Sequence, residues 1–190
     1  MAFICSGCVP FPTTAYVADP TPGTPIYASC SLNRSVPVGT ALEIHGVRAN
    51  VSLMRNNDGG FVEVRFDVPS GTTLVLEGNV VKVDRRSGQN AERATFPNIS
   101  LADRAIFSSY HPSPALEKYM VPVGTPLVGS DRVMIERHRG MHFWIAARAD
   151  IDANEVWVTL PSLTINGVPA DVPELHFHRK MILAIAPLNC

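Results

Sequence analysis

An all-β protein is what this sequence predicts, and three observations carry that reading. Short runs rich in Val, Ile, Leu and Phe recur along the chain, separated by Gly, Asn, Asp or Pro. Polar and apolar residues alternate with a period of two in the clearest of them. The 16 prolines and 13 glycines among 190 residues interrupt the chain too often for a bundle of helices.

In chain order, residues 41–47, 50–54, 61–68, 73–76 and 80–83 read as strands. The third is the clearest: Val62, Val64, Phe66 and Val68 fall on one face and Glu63, Arg65 and Asp67 on the other, so one face is buried and the other wet. Asn56-Asn-Asp-Gly-Gly60 and Pro69-Ser-Gly71 supply turn chemistry on either side of it. Downstream, 133–137, 141–149, 156–160 and 162–165 read as strands, with Asn166-Gly167 as a turn pair, and 181–188 as a strand that ties the C-terminal end into a sheet. Helix is confined to two short candidates, 100–107 with Ser100 and Asp103 as a capping box, and 112–119.

The second series of strands resembles the first. Val36-Pro-Val-Gly-Thr-Ala-Leu42 returns as Val121-Pro-Val-Gly-Thr-Pro-Leu127, identical at six of seven positions. Beyond it, an offset of 82 residues sets Val51 on Val133, Phe61 on Phe143, and Leu74 and Leu76 on Val156 and Val158. The expected architecture is two tandem sandwich-like units related by internal duplication, residues 30–112 and 113–190. Each alone is small for an independent core, so the two are expected to pack together. Residues 1–29 read as a signal remnant or a Pro/Thr-rich tether, on the strength of Asp19-Pro-Thr-Pro-Gly-Thr-Pro25.

Charge and hydropathy narrow the functional classes. Sixteen basic against 17 acidic side chains leave a net charge of −1, without the cationic face that a general nucleic-acid binder or a polybasic membrane-surface protein requires. No apolar run reaches the ~18 residues of a spanning helix. No G-x-S-x-G elbow, S-x-x-K, H-E-x-x-H or phosphate-binding glycine loop occurs. Asp150-x-Asp152 followed by Asn154 lacks the glycine and distal glutamate of a calcium loop and reads as a turn. Trp144 and Trp157 read as sheet residues of neighbouring strands, and Lys82-Val-Asp-Arg-Arg86 as a solvated hairpin end.

Histidine is the one residue type whose placement suggests a site. His176 and His178, two apart on a strand, share a face, the spacing at which one strand supplies two metal ligands. His138 and His142 flank a strand–turn–strand junction and complete a candidate set of His138, His142, His176 and His178. The same alternation also describes a wet strand face whose Leu175 and Phe177 point inward. Apart from that metal set, the residues call for no cofactor.

Four cysteines, Cys5, Cys8, Cys30 and Cys190, allow three full pairings. A Cys30–Cys190 bridge would close a loop of nearly the whole chain, for which the loop-entropy model gives about 4–5 kcal/mol. The alternative is a buried Cys30 thiol and a frayed Cys190. Cys5-x-x-Cys8 lacks both the helical setting of a redox pair and the second ligand pair of a zinc site. Cys5-Ser-Gly-Cys8 resembles the end of a bacterial lipoprotein signal, in which small residues precede the lipidated cysteine, and that resemblance makes Cys8 a lipidation candidate.

Pro22-Gly23, Cys30, Pro37 and Gly46-Val47 are similar to the opening of uncharacterised exported bacterial lipoprotein-like β-proteins. The resemblance implies an exported β-protein and carries no catalytic residue. The function expected is therefore a non-catalytic binding or scaffold module, extracytoplasmic, envelope-anchored or secreted. Its partner would be a protein or an envelope component, with no nucleic acid and with membrane contact only through a lipid anchor. The alternatives are a metal-dependent hydrolase using the histidines of the second unit, and a virion structural protein.

Overall fold

The computed structural model describes residues 10–27, 37–56, 59–86, 92–96, 98–101, 120–130, 134–135, 138–139 and 141–185. These form strands and no helix, and every strand pair is antiparallel. One sheet has five strands, in the order β1 (Pro10–Ala18), β18 (Leu175–Ile185), β15 (Glu155–Thr159), β7 (Val80–Asp84) and β8 (Glu92–Thr95). A seven-stranded sheet orders β10 (Met120–Pro122), β9 (Asn98–Ser100), β14 (Met141–Ala149), β5 (Gly59–Val68), β4 (Val47–Asn56), β3 (Pro37–Ile44) and β2 (Thr24–Tyr27). A four-stranded sheet runs β11 (Leu127–Val128), β6 (Thr73–Leu76), β16 (Leu163–Ile165) and β17 (Val168–Ala170), and β12 (Met134–Ile135) pairs with β13 (His138–Arg139).

Alternation along the strands builds a single core. Val62, Val64, Phe66 and Val68 of β5, with Phe143, Ile145 and Ala147 of β14, form the inner face of the seven-stranded sheet, each at most 2% exposed. Val81 and Val83, Val156 and Val158, and Leu175 and Phe177 form the inner face of the five-stranded sheet. All belong to one hydrophobic cluster, so the two sheets stack as a sandwich with their polar faces turned outward. Turns close as their chemistry dictates. Asn166 and Gly167 both take positive φ (51° and 78°), as do His45 and Gly46 (47° and 83°) between β3 and β4, which suits the two-residue hairpin turn.

The sheets do not divide at residue 112. Each of the three larger ones joins strands from both sides of that point: β1 with β18, β7 with β15, β5 with β14, and β6 with β11 and β16. The repeated heptad explains why the expected tandem pattern does not carry through. In its first copy Gly39 and Ala41 lie within β3, Ala41 directly between Thr24 and Asn50 of the flanking strands. In its second copy the chain turns at Gly124 (φ 86°), with the Thr125 N–H donating to the Pro122 carbonyl at 3.3 Å. Pro126 stands where the first copy has Ala41, and a proline cannot donate into a central ladder. Farther on, β5, β6, β7 and β14, β15, β16 follow in the same order, but each pairs with a member of the other series.

The segment read as a tether also differs from expectation. Pro10–Ala18 is an edge strand, and Thr24–Tyr27 extends the seven-stranded sheet. Tyr16, 3% exposed, fixes β1 to the corner between β14 and β15, where its hydroxyl donates to the carbonyls of Ile151 and Ala153. Burial pushes the Tyr16 phenol above its ordinary pKa of 10, nearby Arg179 and Arg55 opposing in part. At the same corner the Asp152 N–H donates to Asp150 Oδ1 at 3.0 Å, closing the turn expected there. That bond, with Arg85 2.5 Å from Oδ2, holds the Asp150 carboxyl below its usual pKa. The helix candidate at 112–119 and most of that at 100–107 lie outside the described residues, Ser100 itself closing β9. No described helix is long and apolar enough to cross a membrane.

Candidate functional site

On the outer face of the five-stranded sheet, strand register sets up one row of side chains. Trp157 of β15 lies opposite Asp84 of β7 on one side and His176 of β18 on the other. Asp19, just past β1, continues the row, its N–H donating to the His176 carbonyl at 3.0 Å. The neighbours Leu175 and Phe177 point into the core, at 1% and 0% exposure. The imidazoles of His176 and His178 therefore share the outer face, as their spacing requires.

The row is tied together by stacking and charge. The Trp157 and His176 rings stack with centroids 4.5 Å apart and planes 16° from parallel, and the His178 ring follows at 6.3 Å. The Arg86 guanidinium lies 4.0 Å from the Trp157 centroid, within cation–π range. Arg86 is placed by its own backbone, at φ 46°, with its N–H donating to Asp84 Oδ1 at 2.7 Å and Nη2 to Glu174 Oε2 at 2.7 Å. Asp19 receives both imidazoles: His176 Nδ1 is 2.7 Å from Oδ2 and His178 Nδ1 is 3.3 Å from Oδ1. His176 Nε2 is buried and has no hydrogen-bond partner among the described residues. The face remains open, with the side chains of His176, His178 and Arg86 exposed at 25, 36 and 53%.

A second polar cluster lies on the opposite side of the sandwich. In the seven-stranded sheet Arg48, Asp67 and His142 are direct cross-strand neighbours, and so are Asn50, Arg65 and Trp144. Asp67 gathers them. His142 Nδ1 is 2.6 Å from Oδ1, while Arg65 Nη2 and Asn50 Nδ2 donate to Oδ2 at 3.1 and 3.0 Å. Arg65 Nε, 2.9 Å from Oδ1, adds charge attraction off the hydrogen-bond axis. The Arg65 guanidinium also lies 5.5 Å from the Trp144 ring centroid. A separate cleft of about 810 Å³ at the β16–β17 end is lined by His45, Glu77, Thr164 and Asp171, with Thr164 Oγ1 donating to Glu77 Oε1 at 2.5 Å.

These placements bear on each residue that the sequence singled out. His176 and His178 come together, whereas His142 belongs to the outer face of the other sheet, across the core. The His138 side chain lies outside the described residues. Among the described residues no group of three or more His, Cys, Asp or Glu could hold a metal ion, because sheet stacking turns the two histidine-bearing faces away from each other. Cys5, Cys8, Cys30 and Cys190 all lie outside the described residues, so the Cys30–Cys190 bridge and the lipidation of Cys8 stay expectations. Trp144 and Trp157 belong to different sheets, since the chain changes sheet between β14 and β15. Asp19, Asp67 and Arg86 organise the two clusters, although the sequence placed Asp67 only on a wet strand face and Arg86 only at a solvated hairpin end, and marked none of the three as a site residue.

Fold and site together define an antiparallel β-sandwich whose five-stranded sheet presents a half-exposed row of aromatic, imidazole and guanidinium groups. No family model, curated protein or solved structure matches the chain.

Proposed function

We propose that the protein is a non-catalytic binding or scaffold module acting outside the cytoplasm, on the cell envelope or secreted. It would recognise a protein or an envelope component through the outer face of its five-stranded sheet. The observation that carries this reading is the row of Arg86, Trp157, His176 and His178 laid across adjacent strands. Tryptophan, histidine and arginine offer large contact area and directional polar groups, and tryptophan and arginine are enriched at binding hot spots. Their positions are set by strand register and by Asp19, Asp84 and Glu174, so little ordering entropy remains to be lost on binding. The arrangement suits recognition better than catalysis, because both Nδ1 atoms are engaged by Asp19 on an open sheet face rather than converging in a concavity. The extracytoplasmic setting draws on the lipoprotein-like Cys5-Ser-Gly-Cys8.

The test is binding of the purified chain to arrays of peptides and of cell-envelope glycans. Binding is expected to fall by about tenfold or more in Trp157→Ala and to weaken in Arg86→Ala, the exposed end of the stack. His142→Ala, on the far side of the sandwich, is expected to bind as the wild type does. Equal binding by wild type and Trp157→Ala, or loss confined to His142→Ala, would overturn the reading.

A further inference from the structure

Beside the stacked row, on the same outer face, Arg93 of β8 lies directly opposite Lys82 of β7, and Lys82 directly opposite Thr159 of β15. Val81, Val83, Ala94 and Val158 are buried in the core. Strand alternation therefore turns Lys82, Arg93 and Thr159 outward, with Thr95 two positions beyond Arg93 on the same face. Lys82 and Arg93 are both exposed. Like charges directly opposite on paired strands destabilise a sheet. The neighbouring carboxylates are turned elsewhere. The Asp150 N–H donates to Glu92 Oε1 and Oε2 at 3.2 and 3.0 Å, and Asp84 Oδ1 accepts the Arg86 N–H at 2.7 Å. Among the described residues Lys82 and Arg93 have no ion pair or hydrogen bond, and the hydroxyls of Thr95 and Thr159 have no partner either. A charge on the edge strand β8 guards it against pairing with another chain, but a carboxylate there would do so as well and would pair with Lys82.

We propose that Lys82, Arg93, Thr95 and Thr159 hold a tetrahedral oxyanion, a phosphate or sulfate ester carried on an envelope glycan, at the β8 end of the outer face. An ammonium, a guanidinium and two hydroxyls offer donors with no counter-charge, and charge-assisted bonds to an oxyanion answer all of them. The rest of the face sets the rest of the ligand. Asp84, Glu174 and Asp19 flank the row of Trp157 and His176, so a second negative charge laid across it is repelled. A chain with a charge on every unit, such as nucleic acid, fits poorly there. A polyhydroxyl stretch without charge fits, because its hydroxyls can donate to those carboxylates. The inference rests on the outer-face reading above and names its ligand.

The full chain is tested by biolayer interferometry on immobilised dextran phosphate, dextran sulfate, plain dextran and single-stranded DNA. Binding to one or both esters is expected to be about tenfold tighter than to dextran or DNA and to weaken as salt rises, and the tighter ester identifies the oxyanion. Lys82→Ala and Arg93→Glu are each expected to weaken it about tenfold, the worth of one hydrogen bond to a charged group. Arg93→Glu also removes the like-charge contact, so its Tm is expected to equal or exceed that of the wild type, which separates lost binding from lost folding. Binding to the esters no tighter than to dextran, equal binding by the wild type and both variants, a lower Tm in Arg93→Glu, or DNA bound as tightly as the esters would overturn the proposal. Trp157→Ala tells this proposal from the reading beneath it. Ester binding lost in Lys82→Ala but kept in Trp157→Ala supports the oxyanion site and overturns the stacked row as a recognition element.

Discussion

Replacing Phe177 with alanine is expected to remove about 3–5 kcal/mol of folding stability, the range for emptying a buried aromatic site. Phe177 is fully buried and belongs to β18, which is paired on both sides here, with Ala18 of β1 and Val156 of β15 as its register neighbours. Neither neighbouring strand can close over the space without breaking ladder bonds, so a cavity remains. For a domain whose whole stability is about 5–15 kcal/mol, the loss is a large fraction. Urea unfolding measures it directly, and a change below about 1 kcal/mol would place Phe177 outside the core. Met181→Ala, four residues along the same strand but 78% exposed, is expected to change stability by no more than about 0.5 kcal/mol.

Tyr16→Phe is expected to cost about 1–3 kcal/mol, because the buried carbonyl of Ile151 loses its side-chain donor while the ring still fills its site. The effect depends on pH with a definite sign. Burial raises the folded-state pKa of Tyr16 above 10, so between those two values the unfolded chain has lost a proton that the folded chain retains. The stabilisation is fully present below pH 10 and is lost as pH rises through the folded pKa. Phenylalanine has no such proton, so between pH 8 and pH 11 the advantage of the wild type over Tyr16→Phe should hold up to about pH 10 and decline above it. Urea midpoints of the two proteins across that interval check this, and an advantage that stays constant or grows would contradict it.

Strand content was legible because its signal is local. The alternation in β5 and β14 and the Asn166-Gly167 turn need only neighbours in the chain to be read, and so does the shared face of His176 and His178. Partnerships between distant segments were not legible. Asp19-Pro-Thr-Pro-Gly-Thr-Pro25 made residues 1–29 resemble a tether, since the sequence does not show that β1 before it pairs with β18 or that Thr24–Tyr27 pairs with β3. The heptad at 36–42 and its copy at 121–127 look equivalent, yet Pro126 in place of Ala41 turns a central strand into a turn. The clusters around Asp19 and Asp67 depend on which strands become neighbours. Asp19 reaches His176 only because β1 pairs with β18, and Asp67 reaches His142 only because β5 pairs with β14. The sheet change between β14 and β15 likewise separated two tryptophans that seemed adjacent.

That sharing of sheets between the two ends of the chain supports the recognition face, and two single-tryptophan variants test it most directly. In Trp157→Phe the remaining Trp144 reports on the seven-stranded sheet, and in Trp144→Phe the remaining Trp157 reports on the five-stranded one. If both sheets enclose one core, tryptophan fluorescence and far-UV circular dichroism should trace the same single urea transition within each variant. A fluorescence transition clearly separated from the loss of strand signal in either variant, with about half of that signal persisting, would show two independently folding units and contradict the shared-sheet architecture.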